Sequence, residues 1–122
     1  MIALIVDDDL ARHRYFEPRL AYYGYRVAHA QGYNGAVEAL ASRRFDLVLL
    51  DHDLCIRQVS DGCSFWLVGK TGEDVVDYII SLPRSRRPRH VIVHSWNRGG
   101  ARKMVDSLRA AQIPVSYQRS PI

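Results

Sequence analysis

Three short polar clusters stand directly behind apolar, β-branched runs: Asp7-Asp8-Asp9 after residues 2–6, Asp51-His52-Asp53 after 45–50, and His94-Ser95-Trp96-Asn97 after 91–93. Carboxylates brought together at a partly buried edge repel one another. A hard divalent cation, Mg²⁺ or Mn²⁺, relieves that repulsion and leaves coordination positions for phosphoryl oxygens. The chemistry these residue types suit is therefore metal-dependent chemistry on phosphoesters. Asp8 and Asp51, helped by Asp7 or Asp53, would hold the cation, and Asp51 would serve either as nucleophile or as ligand. A proton would be moved by His52 or His94, the other being structural, since an imidazole titrates near neutrality. Ser95 and Asn97 would bond a phosphoryl oxygen.

Each of these residues also has a plainer reading. Asp9 suits the cap of a following helix, Asp53 a turn, His94 a buried ring bonded to backbone, and Trp96 packing rather than a stacking platform. Among the cations, Arg98 and Arg102 follow the 91–93 run near a helix start, which favours anions, and are the expected phosphate clamp. Arg57 and Lys70 are weaker candidates. Arg84, Arg86, Arg87 and Arg89 precede that same run, which puts them at the opposite edge of a sheet and away from substrate.

The elements that must position these clusters follow from periodicity. Residues 2–6, 25–28, 45–50, 91–93 and 115–117 read as strands, and 10–23, 34–41, 71–82 and 101–111 as helices. Asp9 could cap the first helix, Pro18 should kink or split it, and Gly24 stops it. Thr71 with Asp74 forms a candidate capping box. Strands alternating with helices give a three-layer α/β fold with a parallel five-stranded sheet, flavodoxin-like, of order 2-1-3-4-5. Residues 54–70 are long for a strand-to-helix connection. Their apolar runs on either side of Ser60-Asp61-Gly62 read as a hairpin-like insert standing over the strand ends. After the last strand no fifth helix is expected, which leaves one flank of the sheet open to a protein partner or a second copy of the chain.

At 122 residues, with 48% apolar and 25% charged content, the chain is expected to form one domain over its full length, 1–122. The first apolar run is too short and too quickly followed by acids to be a signal peptide or a span, so no membrane and a cytoplasmic location are expected. Cys55 and Cys63 are expected to be reduced. Fifteen of the 17 basic residues are arginine, and setting aside the five clustered aspartates leaves 8 acidic residues against 17 basic ones. An acidic spot in a basic surround suits a phosphorylated small molecule or an RNA end, although a solvated arginine face is the simpler account.

The arrangement resembles the receiver domain of response regulators. Asp7-Asp8-Asp9 resembles that family's acidic pair, Asp51 its phosphoacceptor and Ser95 its hydroxyl residue. The family's lysine after the fifth strand has no counterpart in Ser116-Tyr117-Gln118-Arg119, where Arg119 is at best a substitute. A fuller resemblance is to the cyclic-phosphate-processing receiver domains. Their DDD, LDHDL, TG and HSxN motifs are met by Asp7-Asp8-Asp9, Leu50 to Leu54, Thr71-Gly72 and His94 to Asn97. That resemblance implies a metal-dependent phosphoesterase opening or removing a cyclic or terminal phosphate on RNA or a nucleotide. The more distant one implies a stand-alone phosphoacceptor module for signalling or protein interaction.

Overall fold

Two interleaved side-chain patterns organise the sheet. In the computed structural model, which describes residues 1–54, 56–60, 63–67 and 69–119 (56–60 and 63–67 by backbone alone), β1 (Ile2–Val6), β2 (Arg26–Ala30), β3 (Leu47–Leu50), β6 (Val91–His94) and β7 (Val115–Gln118) form one parallel sheet. Its order is β2-β1-β3-β6-β7, which is 2-1-3-4-5 counted over the sheet strands. Alternate residues along each strand point to opposite faces. Leu4, Val6, Val48, Leu50, Val91 and Val93 therefore pack with three helices, α2 (Tyr33–Ser42), α3 (Gly72–Ser81) and α4 (Arg98–Ala110). Ala3, Ile5, Leu47 and Leu49 instead meet Phe16 of α1 (Leu10–Tyr22).

The helix boundaries have local causes. Asp9 caps α1 by accepting from Ala11 N at 2.8 Å, and Gly24 ends it with φ +90°, a conformation costly for any residue with a Cβ. Pro18 does not split the helix, since α1 runs through it. Proline denies the Arg14 carbonyl its usual donor, but the Arg19 guanidinium donates to the Tyr15 carbonyl at 2.7 Å and supports the same turn. Thr71 and Asp74 form the reciprocal capping box at the start of α3.

Other corrections are of extent. The second strand runs two residues further, to Ala30, and the third begins at Leu47 rather than at residue 45. The insert contains an antiparallel pair, β4 (Ile56–Ser60) with β5 (Cys63–Leu67), as its paired apolar runs predict. The Asp61-Gly62 turn and Cys55 lie outside the described residues, as do the side chains of Arg57 and Cys63. Among the described residues no α-helix follows β7. The α1 face then carries a single helix, and a groove of about 170 Å³ lined by Tyr15, Phe16, Leu20, Leu49, Ile92 and Gln118 lies beside it. No helix among the described residues is long and apolar enough to cross a membrane.

The basic run before β6 sits at the N-terminal edge of the sheet, as expected. Arg87 donates to the carbonyls of Ile80 and Leu82 at the end of α3 and of Ala111 at the end of α4, while Arg86 donates to Ala41 O in α2. These guanidiniums satisfy carbonyls that a helix leaves unpaired at its C-terminus and oppose the negative end of its dipole.

Candidate metal centre

Register brings the site together. Val6 lies opposite Leu50, and Leu50 opposite Val93, so the next residues of the three strands, Asp7, Asp51 and His94, emerge side by side at the carboxyl edge. By the alternation of strand residues, all three face the α1 side. Oxygens of Asp7, Asp8 and Asp51 converge within 4.8 Å of one another, with Asp7 and Asp51 buried and Asp8 half-buried. Asp53, expected as an alternative ligand, is directed instead to His52, its Oδ1 2.8 Å from Nδ1.

The cation on this cluster is Arg12, a residue no sequence motif marks. Its Nε donates to Asp7 Oδ2 at 2.8 Å, and Nη2 lies 3.4 Å from Asp51 Oδ2 and 3.5 Å from Asp8 Oδ1. The only signal available was its place four residues after Asp8, on the first exposed turn of a helix whose cap is Asp9. Burial pushes Asp7 up to about 6; the Arg12 hydrogen bond and the Asp9 N–H oppose that shift. Burial, then the charge of Asp7, pushes Asp51 up to about 7 against the pull of Arg12. One guanidinium is therefore too little positive charge for three carboxylates.

The two candidate proton carriers lie on opposite faces of the sheet. His94 is 1% exposed, its ring against Phe16 at 4.9 Å and its Nδ1 3.6 Å from Asp7 Oδ2. Neither ring nitrogen has a hydrogen-bond partner among the described residues. Burial, reinforced by Arg12 and His13, pushes its pKa down to about 3, so the ring is neutral. His52 is one residue beyond Asp51 and so points the other way, toward α3 and α4. Its Nδ1 faces Asp53 and its Nε2 donates to Glu73 Oε2 at 2.7 Å. Burial works against its charge, but the hydrogen bonds to Asp53 and Glu73 outweigh burial and raise its pKa. A carboxylate thus faces each ring nitrogen, and Asn97 Nδ2 also lies 3.3 Å from Nδ1.

A third histidine, His13, went unmarked in the sequence because it lies within a helix. Its Nε2 donates to the Asp7 carbonyl at 2.8 Å, which leaves Nδ1 to accept from His29 Nδ1 at 2.7 Å. Burial lowers its pKa, and the neutral ring fixes the backbone of the acidic turn.

The remaining candidates are spread around the rim. Ser95 is buried, its Oγ accepting from Asn97 N at 3.0 Å and its carbonyl from the Tyr117 hydroxyl at 2.9 Å. Asn97 is the N-cap of α4, accepting from Gly100 N, and its amide also faces Asp53. Arg98 and Arg102 line a groove of about 330 Å³ with Tyr117 on the α4–β7 side, where Arg102 pairs with Asp106. Lys70 lies over the Tyr33 ring and Arg119 over the exposed Trp96 ring.

The three carboxylates fit a hard divalent cation: oxygen donors only, with negative charge in excess and burial that penalises it. When bound, such an ion would neutralise charge on phosphoryl oxygens. The chain's own residues do the rest of the positioning. β1 and β3 fix Asp7 and Asp51, the Asp9 N–H orients Asp7 through Oδ1, and Arg12 holds the outer oxygens.

Solved structures share this architecture. The chain is similar to a CheY-like response regulator receiver domain protein from Methanospirillum hungatei JF-1 (20% identity, 99% of this chain and 82% of that one, TM-score 0.69). It is similar to a CheY-like receiver domain from Methylobacillus flagellatus (21%, 100% and 87%, TM-score 0.69). A response regulator protein from Burkholderia pseudomallei, solved with a phosphorylated aspartic acid, a calcium ion and citrate, matches at 17% identity over 99% of this chain and 60% of that one, with TM-score 0.66. At such identities the likeness speaks for the fold alone. No curated protein matches the sequence. The model of the cyclic-phosphate processing receiver domain matches residues 2–110. The chain belongs to the cyclic-phosphate processing receiver domain family.

Proposed function

We propose that this protein is a cation-dependent phosphoryl acceptor of the receiver kind, with Asp51 as the residue that takes the group. The observation that carries this reading is the convergence of Asp7, Asp8 and Asp51 oxygens within 4.8 Å at the ends of two neighbouring strands. An Asp51 oxygen attacks the phosphorus of a small donor such as acetyl phosphate. The new bond is Asp51 O–P, and the P–O bond to acetate breaks, releasing acetate. Asp7 and Asp8 hold the cation beside it, and Ser95 donates its hydroxyl hydrogen to the transferred group. Incubation with acetyl phosphate and Mg²⁺ should give a one-phosphoryl adduct by mass spectrometry. The adduct should be lost on chelation of the cation and in Asp51→Asn; its absence from wild type under all divalent cations defeats the reading.

Family membership favours a second reading, a phosphoesterase acting on cyclic or terminal phosphates of RNA or nucleotides. Such an enzyme needs a group to move a proton at the reacting oxygen, typically worth 10²–10⁴-fold in rate by general acid–base catalysis. Of the two candidate proton carriers, His94 on the triad's face is neutral and enclosed, and His52 lies on the other face, engaged by two carboxylates. That division is why the acceptor reading comes first. Turnover of a 2′,3′-cyclic nucleotide by wild type, abolished in Asp8→Asn, would reverse the order.

A further inference from the structure

Arg12 touches the same three carboxylates that would hold a cation. Asp7 Oδ1 already accepts the Asp9 N–H at 2.8 Å, so Oδ2 is the oxygen Asp7 can turn to a ligand, and Arg12 Nε occupies it at 2.8 Å. Arg12 Nη2 also faces Asp51 Oδ2 at 3.4 Å and Asp8 Oδ1 at 3.5 Å. The guanidinium side chain is 14% exposed and that of Asp51 3%, so Arg12 lies on the outward side of the carboxylate it pairs with.

We propose that Arg12 is a built-in competitor of the divalent cation, closing the triad in its absence and released to the rim when the cation binds, where it serves an incoming phosphoryl anion. The inference rests on reading Asp7, Asp8 and Asp51 as a cation site. Its physical basis is that a guanidinium and a divalent ion cannot share the same carboxylate oxygens without repelling each other. The arginine stem starts on the first turn of α1, so a released head group stays beside the site. There its planar fork suits two phosphoryl oxygens. Arg119, just after the last strand, is held over Trp96 at 4.5 Å.

Two measurements test this. Mn²⁺ binding by electron paramagnetic resonance is compared among wild type, Arg12→Gln and Arg12→Lys. Loss of a charge-assisted pair is felt at about tenfold or more, so Arg12→Gln should bind Mn²⁺ tighter by about that factor, with Arg12→Lys between. In wild type alone, the Arg12 Nε–H resonance should be protected without cation and lose protection at saturating Mg²⁺; this holds even if the Gln variant folds poorly. Equal or weaker Mn²⁺ binding in Arg12→Gln, or an Nε–H signal unmoved by saturating Mg²⁺, overturns the role of Arg12 while leaving the cation site standing. Failure of wild type and variants alike to bind Mn²⁺ removes the cation reading, and the inference falls with it. Tighter Mn²⁺ binding by Arg12→Gln than by wild type, together with loss of Nε–H protection in wild type at saturating Mg²⁺, supports it.

Discussion

Gly100 is packed so closely on His52 that a Cβ at position 100 would overlap the imidazole. The first turn of α4 thus rests on the ring that Asp53 and Glu73 hold, and Gly72 stands in the same relation to the Asp51 carbonyl. In an ordinary helix Gly→Ala stabilises by roughly 1 kcal/mol. Here Gly100→Ala should destabilise by about 1–3 kcal/mol, the usual scale of overpacking. Denaturant unfolding measures this, and His52→Ala in the same chain should recover part of the loss. A Gly100→Ala protein as stable as wild type contradicts the packing.

His94 offers the opposite sign. Its ring is enclosed, neutral and without a hydrogen-bond partner among the described residues, a burial that costs roughly 1–3 kcal/mol for a polar group. His94→Leu keeps an apolar contact to Phe16 and should raise stability by about 1 kcal/mol or more at pH 7. Thermal unfolding reads it directly. A clear loss of stability would mean that the imidazole makes a bond that the geometry does not contain.

Stability against pH, measured in chelator, should show two opposed contributions. Asp7 and Asp51 have folded-state pKa values raised to about 6 and about 7, so the folded chain holds their protons more tightly. Their contribution is fully present below the usual carboxylate range and is lost as pH rises toward 7. His94 is lowered to about 3, so its contribution is present above about 6.5 and is lost as pH falls toward 3. Each group changes stability by at most about 1.4 kcal/mol per pH unit. Between pH 6.5 and about 4 the two carboxylates gain stability on acidification and His94 loses it, so Asp51→Asn should diminish or abolish the net gain and His94→Leu should enlarge it. Parallel curves for the two variants would refute both assignments.

Arg87 ties the ends of α3 and α4 through three carbonyls. Arg87→Ala should cost about 2 kcal/mol, because hydrogen bonds from a charged donor are worth roughly 1.5–3 kcal/mol and the carbonyls are left unpaired. Arg84→Ala should cost under about 0.5 kcal/mol, since its partner Gln112 is exposed. Urea titration of the two variants separates a structural from a merely solvated arginine. Mn²⁺ binding should be unchanged in both, as they lie at the edge opposite the triad.

The order of elements, the parallel sheet, the two helix caps at Asp9 and Thr71 and the strand ends carrying Asp7, Asp51 and His94 are all local properties. Each depends on an apolar period, a capping side chain or a glycine at one position, and each is legible within a few residues of chain. Of the kink or split expected at Pro18, also a local inference, the split does not occur, since α1 runs through the proline.

What the tertiary structure alone decided is which side chains meet. Asp51 and His52 are adjacent in sequence, yet strand alternation sends one toward α1 and the other toward α3 and α4, so two histidines that look interchangeable in sequence occupy different faces. Arg12 reaches three carboxylates only because β1 and β3 pair in a register that sets Val6 against Leu50, with α1 crossing above them. Residue types and spacing determined where the carboxyl edge of the sheet would be acidic. Distance and burial, which depend on contacts between residues far apart in the chain, determined that Arg12 is the cation resting on those acids and that His94 is neutral.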